Sequence, residues 1–347
     1  MNIIEHSLRK IDAFQQNKNP LSFIVGVIKK YGDDNGGNLV VSLTYSIFLT
    51  IFPLLLLLIT ILRIALVNYP TIRQAVLRST FSQFPIVGVQ ISNNIQVLKE
   101  GSAFGLIVGI LGLTYGSIGL AKTGQYVMEQ VWNIEGIQRP NFYKRIYKGL
   151  LFLVVLAIGL LVTTALAGFG TFGKQNIWLA IISEGLAILV NIAIYITTFR
   201  VLTPRKINIK SLIPGAIFGG ITWTILQAFG GFVVSHYLRN DTSTYGTFGT
   251  VLGLIAWIYL GTQITVFSAV INTVIKRHLW PRSLVQPPLT KADQISLSLH
   301  VIEKRQRPEQ EVITNVIGQP ITEDVYLATN GYLNKKIIGT SMKTPKE

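Results

Sequence analysis

Side chains that could carry out catalysis are few in this sequence and lie far apart. The chain has no cysteine, and its four histidines are scattered: His6, His236, His278 and His300. It contains no HExxH pair, no P-loop and no group of His and carboxylate residues with the spacing of metal ligands. We therefore predict no catalytic residue, no metal site and no cofactor, and we expect that the protein is not an enzyme.

The most unusual polar residues lie inside apolar stretches of the chain. Glu184 is the only acidic residue within such a stretch, and Asn191 follows it on the same helical face. A charge near the centre of a bilayer costs at least about 2.5–3.5 kcal/mol, so this carboxyl must be protonated, paired or in a cavity. Arg63 or Lys174 could pair with it from the outer side. We predict that Glu184 faces the protein interior, either as a structural polar clamp or as a substrate or proton site.

Six apolar blocks must position these residues. They cover residues 39–62, 102–121, 149–173, 175–199, 211–238 and 242–275. Each is long enough to cross the membrane, since about 20 apolar residues span the hydrocarbon core. Charged residues make up only 14% of the chain, which excludes an ordinary soluble enzyme. The sequence thus predicts an all-α integral membrane protein with six transmembrane helices.

The basic residues indicate how these helices are oriented. Of the 31 Lys and Arg residues, 25 fall in the N-terminal arm, the second and fourth loops and the C-terminal tail, whereas the opposite loops carry five. Cytoplasmic loops are enriched in Lys and Arg, so we predict that both termini are cytoplasmic. The excess of basic residues also favours contact with the bilayer and its anionic lipid head groups, and we expect no specific binding of nucleic acid.

The sequence suggests three domains. Residues 1–38 form a cytoplasmic N-terminal arm, residues 39–278 the six-helix transmembrane domain, and residues 279–347 a largely mobile cytoplasmic tail with a few short strands. In the arm, Ile24, Val27, Ile28 and Tyr31 share one face, which predicts an interfacial amphipathic helix. Similar patterns in residues 72–76 and 87–98 predict two short amphipathic helices in the first outer loop.

Glycine and proline residues mark special positions in the spans. The second span carries a glycine stripe that includes Gly105, Gly109, Gly112 and Gly116. Small residues allow helices to approach closely in lipid, so the stripe favours tight packing, or alternatively a pathway lined by backbone carbonyl groups. Pro53 lies in the middle of the first span and Pro214 opens the fifth, and both are candidate helix kinks.

Several ordered motifs between residues 20 and 278 resemble the family of YihY/virulence factor BrkB inner-membrane proteins, formerly labelled ribonuclease BN. The matching positions include Asp34, Trp132, Arg139, Pro140, Tyr245, Gly246, Gly249, Trp257 and Asn272. The resemblance implies a six-span bundle in the bacterial plasma (inner) membrane. One position departs from the family pattern, because Val270 stands where relatives typically carry a glutamate.

Two functions remain open from the sequence. The intramembrane polar residues favour a transporter or a flippase-like helper for a lipid or small amphiphile. The basic cytoplasmic surface and the long tail favour a non-catalytic envelope or assembly scaffold instead. The ribonuclease function is rejected, because nuclease chemistry generally needs clustered carboxylates that hold a divalent metal ion. The cytoplasmic carboxylates that could bind a metal ion, such as Asp33–Asp34 and Glu323–Asp324, occur as isolated pairs.

Overall fold

A computed structural model describes residues 3–65, 103–136, 139–172, 177–204, 207–233 and 246–307 of the chain. Within these ranges the protein is helical and contains no β-strand, which confirms the all-α class. The first outer loop, with its two predicted amphipathic helices, lies outside the described residues, as does the tail beyond residue 307.

Nine α-helices make up most of the described chain. In chain order they are α1 (Ile3–Gln16), α2 (Asn19–Asp33), α3 (Gly36–Ala65), α4 (Ala103–Val131), α5 (Phe142–Phe172), α6 (Ile177–Leu202), α7 (Ile213–Val233), α8 (Gly246–Arg277) and α9 (Lys291–Glu303). A short 3-10 helix at Ile209–Ser211 precedes α7. Helices α3 to α8 coincide with the six apolar blocks, so the hydrophobic pattern locates every long helix.

Three of these helices, within the described residues, are long and apolar enough to cross a membrane. They are Ile181–Leu202 in α6, Ile213–Gly230 in α7 and Val251–Arg277 in α8. In α3, a shorter apolar helix of this kind covers Gly36–Ile51. The length and hydropathy of these helices indicate a membrane protein. The total of six spans and the cytoplasmic location of both termini stay predictions.

The chain divides into two compact units that do not follow the sequence order. The first unit combines Met1–Asp34, Glu129–Arg139 and Thr273–Glu347, and the second combines Asn35–Met128 with Pro140–Asn272. The first unit thus gathers three segments that are far apart in the sequence. The division of the chain at residues 38 and 278 stays a prediction.

Helix α9 lies in the stretch for which the sequence suggests a mobile tail with short strands. The strand prediction is wrong for this part, because Thr290 and Asp293 form a capping box that begins a helix. Its inward face carries Ala292, Ile295 and Leu299, all of which are buried. The helical spacing of these apolar residues after a Thr-x-x-Asp motif was the available signal in the sequence.

The glycine stripe of α4 contacts a neighbouring helix at one of its described positions. The hydroxyl group of Thr50 on α3 donates to the carbonyl oxygen of Gly116 at 2.9 Å. A Cβ atom at Gly116 would lie 3.1 Å from the Cα atom of Thr50, whereas one at Gly119 would meet nothing within 4 Å. Gly112 is half-buried, and the side-chain environments of Gly105 and Gly109 lie outside the described residues.

The two candidate kinks have different outcomes. Pro214 is the second residue of α7, so it begins this helix rather than bending it. The first turn of a helix has no intrahelical partners for its N–H groups, so a proline there loses no hydrogen bond. Pro53 lies within α3, and its side chain is outside the described residues, so its kink stays a prediction.

The membrane orientation can be tested by labelling single cysteines, because the chain has none of its own. A cysteine at Ser92, in the predicted outer loop, should react with a membrane-impermeant maleimide in intact cells. A cysteine at Lys304, exposed at the end of α9, should react only after the membrane is permeabilised. The opposite labelling pattern would overturn the predicted orientation.

Close packing at Gly116 predicts a difference between two neighbouring alanine substitutions. Gly116→Ala should destabilise the protein by roughly 1–3 kcal/mol, because the added methyl group crowds the backbone of α3. Gly119→Ala should leave the stability unchanged or raise it slightly, because the same methyl group meets open space and alanine favours helix. Thermal unfolding in detergent measures both. Equal unfolding temperatures would show that α3 and α4 do not pack as described.

Candidate functional site

A row of polar side chains lies between α6, α7 and α8 in the second unit. We call this row the polar seam. Its members are Asn191 and Tyr195 of α6, Thr224 of α7, and Thr265, Ser268 and Asn272 of α8. In the described part of the chain these three helices are long and apolar enough to cross a membrane, so the seam is a polar feature within an apolar group of helices.

Hydrogen bonds join the helices along the seam. The amide group of Asn191 donates to the hydroxyl oxygen of Thr224 at 3.2 Å, which links α6 to α7. The hydroxyl groups of Tyr195 and Thr265 lie 3.4 Å apart and link α6 to α8. Polar side chains buried among apolar ones need such partners, since an unpaired group loses its hydration without compensation.

Glycines on α7 allow the helices to come this close. A Cβ atom at Gly219 would lie 2.7 Å from the hydroxyl oxygen of Ser268 and 2.9 Å from the ring of Tyr195. At Gly215 it would lie only 1.9 Å from the carbonyl oxygen of Ser268. Neither position therefore accommodates a side chain, and the glycines of α7 are a condition for forming the seam.

Asn272 completes the start of α7. Its side-chain oxygen accepts a hydrogen bond from the backbone N–H of Gly215 at 2.7 Å. This N–H lies in the first turn of α7 and has no partner in its own helix, so Asn272 acts as a cap supplied by another helix. Asn272 is fully buried, and its amide nitrogen has no hydrogen-bond partner among the described residues. The seam therefore keeps a spare pair of buried donor hydrogens.

Glu184 does not face the protein interior, and the prediction of its orientation is wrong. The residue is exposed, and its neighbours Ile181 and Leu186 are also exposed, at 57% and 44%. Helix α6 begins at Ile177, so Glu184 is only about 10 Å from its start at 1.5 Å per residue.

The other residues that the sequence associates with Glu184 or with the family glutamate lie in different places. Asn191 lies in the seam, but the structure does not bring it together with Glu184. Arg63 and Lys174 have side chains outside the described residues, so pairing with them stays a prediction. Val270, at the position of the family glutamate, is completely buried in α8 and supplies no carboxylate.

A second group of polar residues lies in the first unit, and we call it the charge cluster. It consists of Lys30, Asp34, Glu129, Asn133, Arg139, His300 and Glu303. These residues come from the end of α2, the end of α4 with the loop that follows it, and α9. Segments that are far apart in the sequence therefore meet at one set of charges.

Lys30 is at the centre of the charge cluster and is fully buried. Its ammonium group donates to the Asp34 carboxylate at 2.6 Å and to the Asn133 side-chain oxygen at 2.9 Å. Burial lowers the pKa of Lys30 because it removes the ammonium group from water, although the charge of Asp34 opposes this shift. The close partners compensate for a desolvation that would otherwise be prohibitive.

Asn133 and Arg139 extend the cluster to α9. The amide group of Asn133 donates to Glu303 at 3.0 Å. Asn133 itself adopts a left-handed backbone conformation with φ 44°. Arg139 forms ion pairs with Glu303 at 3.7 Å and with Glu129 at 3.4 Å. The Trp132-Asn133 and Arg139 positions of the sequence motifs thus hold the loop after α4 against α9, with Trp132 itself buried.

His300 connects α9 to the end of α2. Its Nδ1 atom lies 3.0 Å from the carbonyl oxygen of Ser296, and its Nε2 atom lies 3.1 Å from that of Asp33 and 3.3 Å from the Asp34 carboxylate. Both ring nitrogens face acceptors, which favours the doubly protonated ring. Burial alone would lower the pKa of His300, but the hydrogen bond and charge of Asp34 outweigh it and raise the pKa.

A further buried ion pair supports the start of α9. Arg282 donates to Asp293 at 2.7 Å and to Asp33 at 2.6 Å. Burial raises the pKa of Asp293, but hydrogen bonds from Ser283, Arg282 and Thr290 dominate and lower it to about 2. This carboxylate is therefore ionised at neutral pH and holds the loop before α9 in place.

Other motif positions are distributed over both units. Trp257 is buried in α8, and its indole N–H has no hydrogen-bond partner among the described residues. Pro140 is half-buried just before α5. Tyr245 lies outside the described residues. Gly246 and Gly249 lie in the first turn of α8, and Gly249 is half-buried. Among the described residues, no three His, Asp or Glu side chains lie close enough together to hold a metal ion.

The family model described as virulence factor BrkB matches residues 27–291, well over half of the chain. The chain belongs to the virulence factor BrkB family. This match confirms the resemblance that the sequence motifs indicate.

Individual BrkB relatives are distant. A UPF0761 membrane protein of Psychrobacter sp. (strain PRwf-1) is 24% identical over 91% of this chain and 60% of its own length. The ribonuclease-like protein YfkH of Bacillus subtilis (strain 168) is 21% identical over 74% of this chain and 96% of its own. The inner membrane protein YhjD of Escherichia coli (strain K12) is 20% identical over 73% of this chain and 81% of its own length.

The chain thus spans about 60% of the Psychrobacter protein, which extends beyond the shared part. No solved structure matches the chain. The relatives are named as membrane proteins more often than by an activity, so the family alone assigns a membrane protein and no reaction.

The contacts of His300 predict a pH dependence of stability. Because its pKa is higher in the folded protein than in the unfolded chain, the stabilisation is complete below about pH 6.5 and is lost as the pH rises through the folded pKa. The protein should therefore unfold at a lower temperature at pH 8 than at pH 6. His300→Gln should reduce this difference, because glutamine cannot become charged. A difference of the same size in the variant would show that His300 is not responsible.

The Arg282–Asp293 pair predicts a large loss of stability on breaking it. Asp293→Asn should destabilise the protein by roughly 3–5 kcal/mol, because it removes the fully buried carboxylate from the buried Arg282 and leaves only the partly exposed Asp33 to pair with it. Asp33→Asn removes a partly exposed carboxylate from the same guanidinium group and should cost much less. Urea unfolding monitored by tryptophan fluorescence measures both variants, and equal losses would contradict the assigned burial.

Proposed function

We propose that this protein moves a lipid or a small amphiphile across the bacterial inner membrane, as a transporter or a flippase-like helper. The observation that carries this proposal is the polar seam between three apolar helices. From Asn272 to Thr265 the seam follows α8 for about 10 Å at 1.5 Å per residue. The inner-membrane location is part of the proposal, and the name of the Escherichia coli relative supports it.

The seam provides groups that a polar head group needs. A charged or strongly polar group loses several kcal/mol of hydration when it enters the hydrocarbon core. Hydroxyl and amide groups placed at intervals can replace the hydrating water of a head group one contact at a time. This lowers the free-energy barrier for moving the head group across the hydrocarbon core. The spare N–H groups of Asn272 could donate to a phosphate or ester oxygen, because the side-chain oxygen is already occupied by Gly215.

Interhelical packing is the competing explanation for such a seam. In lipid, hydroxyl and amide side chains hydrogen-bond across helices and hold them together, with typical energies of about 0.6–2 kcal/mol. A scaffold would need nothing more than that. The amide nitrogen of Asn272, which has no partner among the described residues, supports transport, since a group used only for packing gains nothing from a donor without an acceptor.

A nuclease activity is not part of the proposal, although one relative is named ribonuclease-like. Hydrolysis of phosphodiesters commonly uses carboxylates that hold divalent metal ions. In the described part of the chain the buried carboxylates of the charge cluster are paired with basic residues instead, as Asp34 is with Lys30 and Glu129 with Arg139.

Lipid scrambling in reconstituted vesicles tests the proposed function. Purified protein in vesicles that contain fluorescent NBD-phosphatidylethanolamine should expose lipid of the inner leaflet to dithionite, so that a larger fraction is bleached than in protein-free vesicles. Thr224→Val and Thr265→Val keep the side-chain shape but remove one hydroxyl group each from the seam, and together they should slow bleaching about tenfold or more.

Thr197→Val is the matched control for these variants. Thr197 is an exposed residue of α6 whose hydroxyl group bonds only within its own helix, to the carbonyl oxygen of Ala193. The Thr197→Val variant should scramble lipid as fast as the parent protein. Protein-containing vesicles that bleach like protein-free ones would contradict lipid movement, and seam variants that lose stability but not activity would support packing.

A further inference from the structure

Helix α1 has its polarity reversed with respect to a helix on a water-exposed surface. It buries the polar residues Asp12 and Gln15, which are only 7% and 4% exposed. Its large apolar residues point outward instead: Leu8, Ile11 and Phe14 are 46%, 55% and 57% exposed. The surface helix of a soluble protein shows the opposite arrangement.

Hydrogen bonds hold α1 in this orientation. The carboxylate of Asp12 accepts from the backbone N–H groups of Leu284 and Val285 at 2.9 and 3.4 Å. The amide group of Gln15 donates to Asp12 at 2.9 Å and to the carbonyl oxygen of Arg282 at 2.7 Å. Rotation of the helix to bury its apolar face would break these bonds, so the outward face is a built feature of the fold.

Helix α2 repeats the same reversal in the same unit. Its buried face carries Ser22, Gly26 and Lys30, spaced four residues apart. Its outward face carries Leu21, Ile24 and Ile28, which are 41%, 51% and 58% exposed. Because a Cβ atom at Gly26 would lie 2.8 Å from the carbonyl oxygen of Leu279, the buried face is closely packed and cannot rotate outward.

Two features identify a lipid surface as the occupant of these apolar faces. First, α2 ends at Asp33 and α3 begins at Gly36, so the chain passes from α2 into the first predicted span within three residues. Second, the apolar face of α1 is flanked by exposed Lys10 and Lys18. Apolar faces bordered by basic side chains are typical of helices that lie in the head-group region of anionic membranes.

We propose that α1 and α2 lie together in the cytoplasmic leaflet, with Leu8, Ile11 and Phe14 of α1 inserted among the acyl chains of an anionic bilayer. For α2 the sequence also predicts an interfacial helix; Ile24 and Ile28 of the predicted face are exposed, whereas Val27 is buried. Helix α1 carries no such sequence prediction. Because Asp12 and Gln15 bind residues 282–285, the two helices also fix the start of the tail at the membrane surface. The inference is independent of the proposed lipid transport.

Spin labels on single cysteines test this arrangement in the full-length protein. Ile11→Cys and Ala13→Cys are matched sites, since both residues are exposed but lie on different sides of α1. In nanodiscs of phosphatidylglycerol and phosphatidylcholine, the label at position 11 should be relaxed more by oxygen, which partitions into lipid, than by a water-soluble nickel complex. The label at position 13 should show the reverse.

The other outcomes would overturn the proposal. A label at position 11 that is relaxed more by nickel would place α1 in water. Dipolar broadening between two labels at position 11, with little access for either reagent, would identify a second copy of the chain as the occupant. In nanodiscs of phosphatidylcholine alone the access of oxygen to position 11 should fall. Equal access of oxygen to position 11 in both lipid compositions would show that Lys10 and Lys18 do not bind anionic head groups.

Discussion

A polar group buried in this very apolar chain is costly without a partner, and this constraint organises both units. The ammonium group of Lys30 is the clearest case, since it is fully buried and would be very costly without its contacts to Asp34 and Asn133. Those contacts require the end of α2 and the loop after α4 to meet. Glu303, which binds the same asparagine, adds α9 to the group.

The same constraint acts differently in the second unit. There the buried groups are neutral hydroxyl and amide side chains, which suits helices that are apolar enough to cross a membrane. Glycines at positions 215 and 219 remove the side chains that would keep α7 away from α8. Asn272 then reaches the free N–H group at the start of α7, and one polar residue serves both helix capping and the seam.

The sequence predicts the long helices well, because the apolar blocks that define them contain a single Asp, Glu, Lys or Arg residue, Glu184. It predicts single side chains less well. Glu184 stands out in the sequence as an isolated intramembrane charge, yet it is exposed near the start of α6, because orientation around a helix axis depends on neighbours that the sequence does not reveal. The polar seam was recognisable only in part, through Asn191 and the motif residue Asn272.

The charge cluster was missed for a related reason. Asp34, Trp132 and Arg139 are recognisable as motif positions. Glu303, the partner of Arg139, lies more than 160 residues further along the chain, in a stretch whose polar composition suggests a mobile tail. Long-range ion pairs leave no periodic signal. The local signs that this stretch contains a helix are the Thr290–Asp293 capping box and the helical spacing of the apolar residues after it.

Native mass spectrometry of the purified protein tests most directly whether the polar seam binds lipid. The account predicts that the protein retains phospholipid after release from the detergent micelle. It also predicts that Asn191→Leu, which removes an amide group from the seam, lowers the retained fraction severalfold, while the control Thr197→Val retains as much as the parent protein. Equal lipid retention by all three proteins, or none by any of them, would contradict a lipid site in the seam.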